Sequence, residues 1–367
     1  MNYCVQFKQE ISHWKLSRII WRAGELRVNG IREALVKLQA FSQDELFVYS
    51  WIWAFGRCGN ENDRGIISQY INGSSVELTH WIARCALFDL SNDAQQKELY
   101  LESISTLPQN FAKQITESSY SELQTKVWDV LINIQARNNE FLGELYLISL
   151  RNPDVKKIVL EVLRETPEFD DLFTSVRKIF KAAEFFDDFE TIAVLNRRLE
   201  KEFSTKTIKY FKKRVQRLLR RSGEIGNSKF YTGLASAILL EYDEEKDKLN
   251  TRKMSNYNWQ SGHYVSTWFG EYSKYNALNY IIHGSSNRIT QLYNLKWVYA
   301  PGITPEMPKP STREEAFPEL WGHHPQKLVE ILLRSRVEII DEFAVLALSG
   351  RQDLREVITD ENLALLL

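Results

Sequence analysis

The most concentrated chemistry in the sequence is positive charge between residues 201 and 221. Nine Lys and Arg residues fall there against the single acid Glu202, giving a local charge of +8 in a chain whose net charge is −1. Ile208, Phe211 and Val215 recur at helical spacing and predict an amphipathic helix. Its basic faces would suit phosphate groups or another acidic partner. The predicted binding residues are Lys206, Lys209, Lys213, Arg217, Arg220 and Arg221.

A row of like charges on one helix face needs an explanation, because such pairs repel by a few tenths of a kcal/mol each. The stripe predicted to be exposed consists of Lys209, Lys213, Arg217 and Arg220. Three explanations remain open. The charge is solvated or neutralised by the acidic run at residues 241–247, or it binds a nucleic acid or other polyanion, or it binds an acidic protein partner.

Aromatic residues are concentrated after this helix. Between residues 257 and 299, 11 of 43 residues are aromatic, about twice the 12% average of the chain. Tyr and Trp favour binding surfaces because they bury a large area and keep a polar group, and beside a basic helix they could stack on bases. Alternatively, they build a small core of their own. The aromatic residues predicted to bind a partner are Tyr257, Trp259 and Trp268.

Sequence patterns for catalysis are weak. The adjacent His323 and His324 point about 100° apart on a helix, so they cannot chelate one metal as an i, i+4 pair does. The sequence contains no Gly-rich phosphate loop, nucleophile elbow or Cys-x-x-Cys pair. We therefore expect a non-enzymatic protein without cofactor or metal. An Asp or Glu acid–base pair leaves no pattern, so a hidden active site stays a third alternative.

The elements that position these residues are predicted from a repeated Trp-Ile pair. Residues 80–87 repeat the sequence pattern of residues 50–57. Trp51 and Trp81 are in register, and small residues and an Arg follow each of them. Each copy lies at the end of a segment whose sequence predicts a helix, a polar turn and a second helix. A period of roughly 30–47 residues built from helix pairs is typical of α-solenoids.

The pattern of a first helix, a Gly/Ser/Asp turn and a second helix with small residues resembles the HEAT repeat family. The resemblance covers about residues 20–165, and armadillo-like repeats fit almost as well. It implies an all-α solenoid of stacked helix pairs, a curved scaffold that binds something along one face. Within that fold we expect an aromatic-rich irregular insertion and a Pro-rich loop.

Proline marks the domain boundaries, since it breaks helix interiors. Six of the nine prolines fall between residues 301 and 325. The predicted domains are 1–200, the HEAT-like repeats; 201–300, the basic helix and an aromatic-rich helical region; 301–317, the Pro-rich loop; and 318–367, C-terminal helices cut before a further repeat.

The C-terminal half also has a weak resemblance to helical-repeat regions of uncharacterised bacterial proteins that carry a WGR domain. It rests on residues 210–221, 276–284 and 317–321. A WGR triplet is missing here, so the function of that domain is not carried over. The resemblance implies a bacterial source. Together with the uncapped leucines from Leu363 to Leu367 it suggests a fragment of a longer protein.

These observations favour a cytoplasmic scaffold that binds a protein partner within a bacterial multi-subunit assembly. The alternative is a solenoid that binds nucleic acid through the basic helix at 206–221. The few scattered cysteines suit a reducing compartment. A signal peptide and a run of about 18 apolar residues are both missing from the sequence, so we expect no membrane association.

Overall fold

The structure is a computed structural model of the chain. It describes all residues except 1–4, 7–10, 42, 74–76, 134–138, 167–172, 202–205, 259–261, 310, 360, 362–363 and 366–367. The described part is mostly helical, with four short strands, which confirms the predicted all-α class. The chain divides into two compact units, residues 1–188 and 189–367. The sequence placed this boundary at residue 200.

The described elements of the first unit are all helices. In chain order they are α1 (His13–Glu25), α2 (Arg32–Leu38), α3 (Glu45–Cys58), a 3₁₀ turn (Glu61–Asp63), α4 (Arg64–Gly73), α5 (Glu77–Asp89), α6 (Asp93–Ser105), α7 (Gln109–Glu117), α8 (Tyr120–Asn133), α9 (Asn139–Ser149), α10 (Pro153–Glu165) and α11 (Phe173–Phe186).

The two predicted helix pairs are present as α2–α3 and α4–α5. Asp44 caps α3 by accepting a hydrogen bond from the Phe47 backbone N–H at 3.1 Å. Trp51 and Trp81, which are in register in the repeated sequence, are both buried, at 1% and 3% exposure. Each indole also donates to a main-chain carbonyl.

Helices α1, α3 and α5 pack closely because small residues meet between them. A Cβ added at Gly24 would lie 2.5 Å from Ala54 Cα, and one added at Gly56 would lie 2.5 Å from Ala86 Cβ. Gly56 and Ala86 occupy equivalent positions of the repeated sequence. The 30-residue repeat therefore brings its own small residues into contact.

Helix α11 packs against helices far earlier in the chain. The buried Arg57 guanidinium binds Asp187 through two hydrogen bonds of 3.0 and 3.1 Å and also donates to main-chain carbonyls of Glu184 and Gly24. Trp81 Nε1 donates to Lys178 O at 2.8 Å. In a simple solenoid each repeat contacts only its neighbours, so the HEAT-like arrangement remains a prediction for this unit.

The second unit combines helices with two hairpins. Its elements are α12 (Phe189–Lys201), α13 (Lys206–Glu224), α14 (Ser228–Leu240), α15 (Glu244–Asp247), β1 (Arg252–Asn258), β2 (His263–Phe269), α16 (Asn276–His283), β3 (Ile289–Gln291), β4 (Trp297–Tyr299), α17 (Pro318–Gly322), α18 (Pro325–Arg334), α19 (Glu338–Ser349) and α20 (Leu354–Val357).

Helix α14 is central to this unit and packs against α12, α13, α16, α17 and α18. Its apolar run is buried, and the buried Tyr231 hydroxyl donates to Ala316 O at 2.8 Å at the end of the Pro-rich loop. The described residues of 301–317 form neither helix nor strand, as predicted. Two antiparallel hairpins, β1–β2 and β3–β4, lie where the sequence suggested an irregular or helical insertion.

Candidate binding surfaces

Helix α13 is amphipathic, and its apolar stripe is buried. Of the basic residues predicted to bind, Lys213 and Arg220 are exposed, whereas Lys209, Arg217 and Arg221 are half-buried. Lys206 begins the helix, but its side chain lies outside the described residues. The remaining basic residues of the helix, Lys212 and Arg214, are buried. The four-residue stripe is thus exposed at two of its positions.

Two lysines of this helix are available for a ligand. Among the described residues, no carboxylate lies within ion-pair distance of Lys209 or Lys213. Arg220 pairs with Glu224 one turn along the helix at 3.5 Å, and Arg217 Nε donates to Lys213 O at 3.2 Å. The free positive charge is therefore centred on the first half of the helix.

The acidic run that follows α14 is engaged by other cations. The buried Asp247 binds Arg197 at 2.9 Å and Lys201 at 2.8 Å, and Glu244 pairs with Lys248 at 2.6 Å. Lys201 belongs to the basic segment, so among the described residues the acidic run at 241–247 neutralises at least one of the nine charges of that segment.

Strands β1 and β2 form an antiparallel hairpin, called the ribbon below, with seven paired positions. On one face, Lys253 Nζ lies 5.5 Å from the Trp268 ring, and the Tyr257 and Tyr264 rings meet edge to face at 5.3 Å. Between these pairs, the hydroxyls of Ser255 and Ser266 are 2.8 Å apart. The ribbon thus carries a continuous row of polar and aromatic side chains.

Most of the ribbon is exposed, and so are its large apolar side chains. Tyr264 is 74% exposed and Tyr257 41%, and on the opposite face Met254 and Val265 are exposed at 41% and 44%. Trp268 is half-buried at the base of the ribbon, and Trp259 lies outside the described residues. The ribbon therefore projects both of its faces into solvent.

The later aromatic residues are mostly internal. Tyr275 and Trp297 are buried, with the Tyr275 hydroxyl donating to Asp247 Oδ1 at 3.0 Å and Trp297 Nε1 donating to Asn276 Oδ1 at 3.1 Å. The aromatic residues Tyr257 and Tyr264 of the ribbon are therefore exposed, whereas most of the aromatic residues that follow the ribbon belong to the core.

A buried polar network joins α12 to this aromatic core. The Tyr242 hydroxyl and the Ala277 backbone N–H, the latter at 2.8 Å, donate to the two carboxylate oxygens of Glu200. Burial raises the pKa of Glu200 to about 7. Sequence reasoning missed this residue, because a single Glu in an amphipathic helix looks like an ordinary surface position.

The residues that the structure describes hold no cluster of three or more His, Cys, Asp or Glu side chains that could bind a metal ion. Burial raises the pKa of Cys85 far above its usual range, so its thiol is inert. Burial likewise lowers the pKa of His80 beside Trp81.

No known protein family, curated protein or solved structure matches the chain. None of its described helices is both long and apolar enough to cross a membrane.

Proposed function

We propose that the protein is a non-enzymatic helical scaffold that holds a protein partner, in a multi-subunit assembly of a bacterial cell, and that the ribbon is its docking element. The observation that carries this proposal is the exposure of aromatic and aliphatic side chains on both faces of one hairpin. Contiguous exposed apolar side chains mark interaction sites on soluble proteins.

The ribbon suits docking for energetic reasons. An isolated two-stranded hairpin is marginally stable in water, so a partner that covers it stabilises both the hairpin and the complex. Tyr257 and Tyr264 offer large contact areas while their hydroxyls keep a polar contact. Side chains of this type dominate the binding energy of protein interfaces.

A matched pair of variants tests the docking role. The chain is cross-linked to proteins in a lysate of its native host, and the recovered proteins are quantified. We expect the double variant Tyr257→Ser/Tyr264→Ser to lose the partner that the wild type recovers. Tyr293→Ser is the control, because Tyr293 is 95% exposed and lies outside the ribbon. Equal recovery by all three proteins would exclude the ribbon as docking element.

Nucleic-acid binding is the second candidate, and two observations favour it. Lys209 and Lys213 have no carboxylate among the described residues within ion-pair distance, and residues 249–270 contain no Asp or Glu. Aromatic rings beside cations are the usual platform for single-stranded nucleic acids.

Salt dependence separates the two candidates. If α13 contacts phosphates, log affinity for duplex DNA falls with log salt at a slope near −0.9 per phosphate. Changing Lys209 and Lys213, the two lysines without a carboxylate partner among the described residues, to Ala should then flatten the slope by about 2 units. A wild-type chain that binds neither duplex nor single-stranded oligonucleotides at low salt rules this candidate out.

A further inference from the structure

Strand β1 is an outer edge of the ribbon. It pairs with β2 on one side, and β2 also packs against β4 within the second unit. Among the described residues, positions 252–256 form no main-chain hydrogen bond outside the ribbon, and the side chains at 252–255 are exposed. An edge strand presents N–H and C=O groups that can pair with another chain. The main chain of β1 can therefore accept one more strand.

The sequence of β1 contains few of the features that protect a sheet edge from pairing. Proteins protect such edges with Lys, Pro or β-bulges. β1 pairs with β2 over seven positions without a bulge, and it contains no proline. Only its first two residues, Arg252 and Lys253, are charged. Little in the rest of the strand opposes pairing with a further strand.

We propose that a second copy of this chain pairs with this edge, so that the two β1 strands run antiparallel about a two-fold axis at Ser255. This pairing rests on the proposed function, because it takes the ribbon as an interaction element, but it uses the edge of the ribbon and not its faces. Lys253 then lies opposite Tyr257 of the second copy. Arg252 lies opposite position 258. The two ribbons together form one four-stranded sheet.

The side chains on one face of the ribbon complement each other in this register. Within one chain, Lys253 Nζ lies 5.5 Å from the Trp268 ring. Directly opposite residues of antiparallel strands have Cβ atoms about 4.5–5.5 Å apart, so Tyr257 of the second copy flanks Lys253 on its other side. A cation close to aromatic rings is stabilised by them. The contact occurs twice, because a two-fold interface uses the same patch of both copies.

The positive charge of the ribbon does not prevent this pairing. Since Lys253 lies opposite Tyr257, the two copies of Lys253 are four residues apart along the strands, or about 14 Å. The Debye length at physiological salt is about 8 Å, so their repulsion is largely screened. No cation lies directly opposite another cation in this register.

A cysteine at the proposed axis tests the register. In Ser255→Cys the two thiols meet across the axis, where the Cα separation of about 4.5–5.5 Å suits a disulfide. We expect this variant to form an intermolecular disulfide under mild oxidation, well above the background that wild type gives from its three native cysteines.

Ser266→Cys is the matched control for this disulfide. The Ser266 hydroxyl is 2.8 Å from that of Ser255, so both residues share one face, but Ser266 belongs to β2. Its two copies would be three strand spacings apart, about 14 Å, too far for a disulfide. Equal cross-linking of the two cysteine variants would overturn the proposal, as would the lack of any cross-linked Ser255→Cys.

A lysine at the axis tests the affinity. In analytical ultracentrifugation the full wild-type chain should associate to twice its 43.0 kDa. We expect a Kd on the order of 0.1 mM or tighter, since one strand edge is smaller than a standard interface. Ser255→Lys places two like charges directly opposite each other and should weaken association at least about fivefold. Ser266→Lys adds the same charge and loses the same Ser255–Ser266 hydrogen bond, yet should have little effect.

Two results of this measurement would contradict pairing of the β1 edges. One is a wild-type chain that stays at 43.0 kDa at concentrations about tenfold above that Kd. The other is an equal effect of the two lysine variants. Both variants keep Tyr257 and Tyr264, so failure of self-association leaves the docking test on the tyrosines standing. Equal recovery of proteins in that docking test likewise leaves the self-association result standing.

Discussion

The pKa values of two buried carboxyl groups of the second unit, Asp247 and Glu200, are shifted in opposite directions. Burial opposes ionisation of Asp247, but hydrogen bonds from Lys201 and Arg197 outweigh it and lower the pKa. Glu200 accepts hydrogen bonds from the neutral Tyr242 hydroxyl and the Ala277 N–H, and burial raises its pKa to about 7 although these bonds and the charge of Lys212 act in the opposite direction. The first carboxylate is held charged, whereas the second gains or loses its proton near neutral pH.

Glu200 makes the stability of the protein depend on pH. The folded state keeps the proton up to about pH 7, whereas the unfolded chain releases it near the ordinary pKa of 4.5. The free energy of unfolding therefore falls as pH rises between these values, by up to about 1.4 kcal/mol per unit. Glu200→Gln should remove this fall, as measured by urea unfolding at pH 5, 6, 7 and 8.

The difference between variant and wild type isolates Glu200 from other titrating groups. His283 contributes the opposite slope, because its lowered folded pKa means that stability decreases as pH falls from about 6.5 to about 4. That contribution is common to both proteins and cancels. Parallel pH profiles of the two proteins would show that Glu200 ionises normally.

The contacts of Gly56 leave no room for a side chain at this position. An added Cβ would lie 2.5 Å from Ala86 Cβ and 2.8 Å from the Phe185 ring, so Gly56→Ala should destabilise by about 1–3 kcal/mol. Gly65→Ala is the control, since an added Cβ there meets no atom within 4 Å. In a helix it should stabilise by roughly 0.5–1 kcal/mol. Chemical denaturation measures both, and equal effects would mean that α3 and α5 are not closely packed.

At the scale of elements, α3 and α5 each contain a buried tryptophan whose indole also donates a hydrogen bond to a main-chain carbonyl. Trp51→Ala and Trp81→Ala should each cost about 3–5 kcal/mol through the cavity left behind and through loss of the indole hydrogen bonds to Leu35 O and Lys178 O. Trp14→Ala, at a side chain that is 52% exposed, should change the free energy of unfolding little. Thermal or urea unfolding that shows Trp81→Ala to be as mild as Trp14→Ala would contradict the packing described.

The sequence was sufficient to predict elements whose apolar periodicity is visible within one short segment. Helices α2 to α5 follow from apolar spacing, the Asp44 cap and the repeated Trp-Ile pair. The ribbon was not predicted from the sequence, because polar residues lie on both of its faces. Its strands therefore lack the alternation of apolar and polar residues that is typical of a half-buried strand. The buried network at Glu200 was not predicted either, because α12, Tyr242 and α16 come together only through tertiary packing. The spacing of residues along the sequence does not predict such tertiary contacts.

At the scale of the whole molecule, the two units have separate cores. In residues 1–188 the core gathers around α3, α5 and α11, with Arg57 and Trp81 binding main-chain carbonyls. In residues 189–367 it gathers around α14, with Asp247 and Glu200 fixing the aromatic segment. A compact unit with its own core behaves as a cooperative folding unit.

The division into two compact units predicts that each unit loses its stability separately. Trp81→Ala should raise amide hydrogen exchange throughout residues 1–188. Asp247→Asn should raise it throughout 189–367, because Arg197 and Lys201 would be left without their carboxylate. Each variant should leave protection in the other unit close to wild type, as measured by exchange with peptide-level mass spectrometry. A uniform rise across all 367 residues with either variant would show one cooperative unit instead of two.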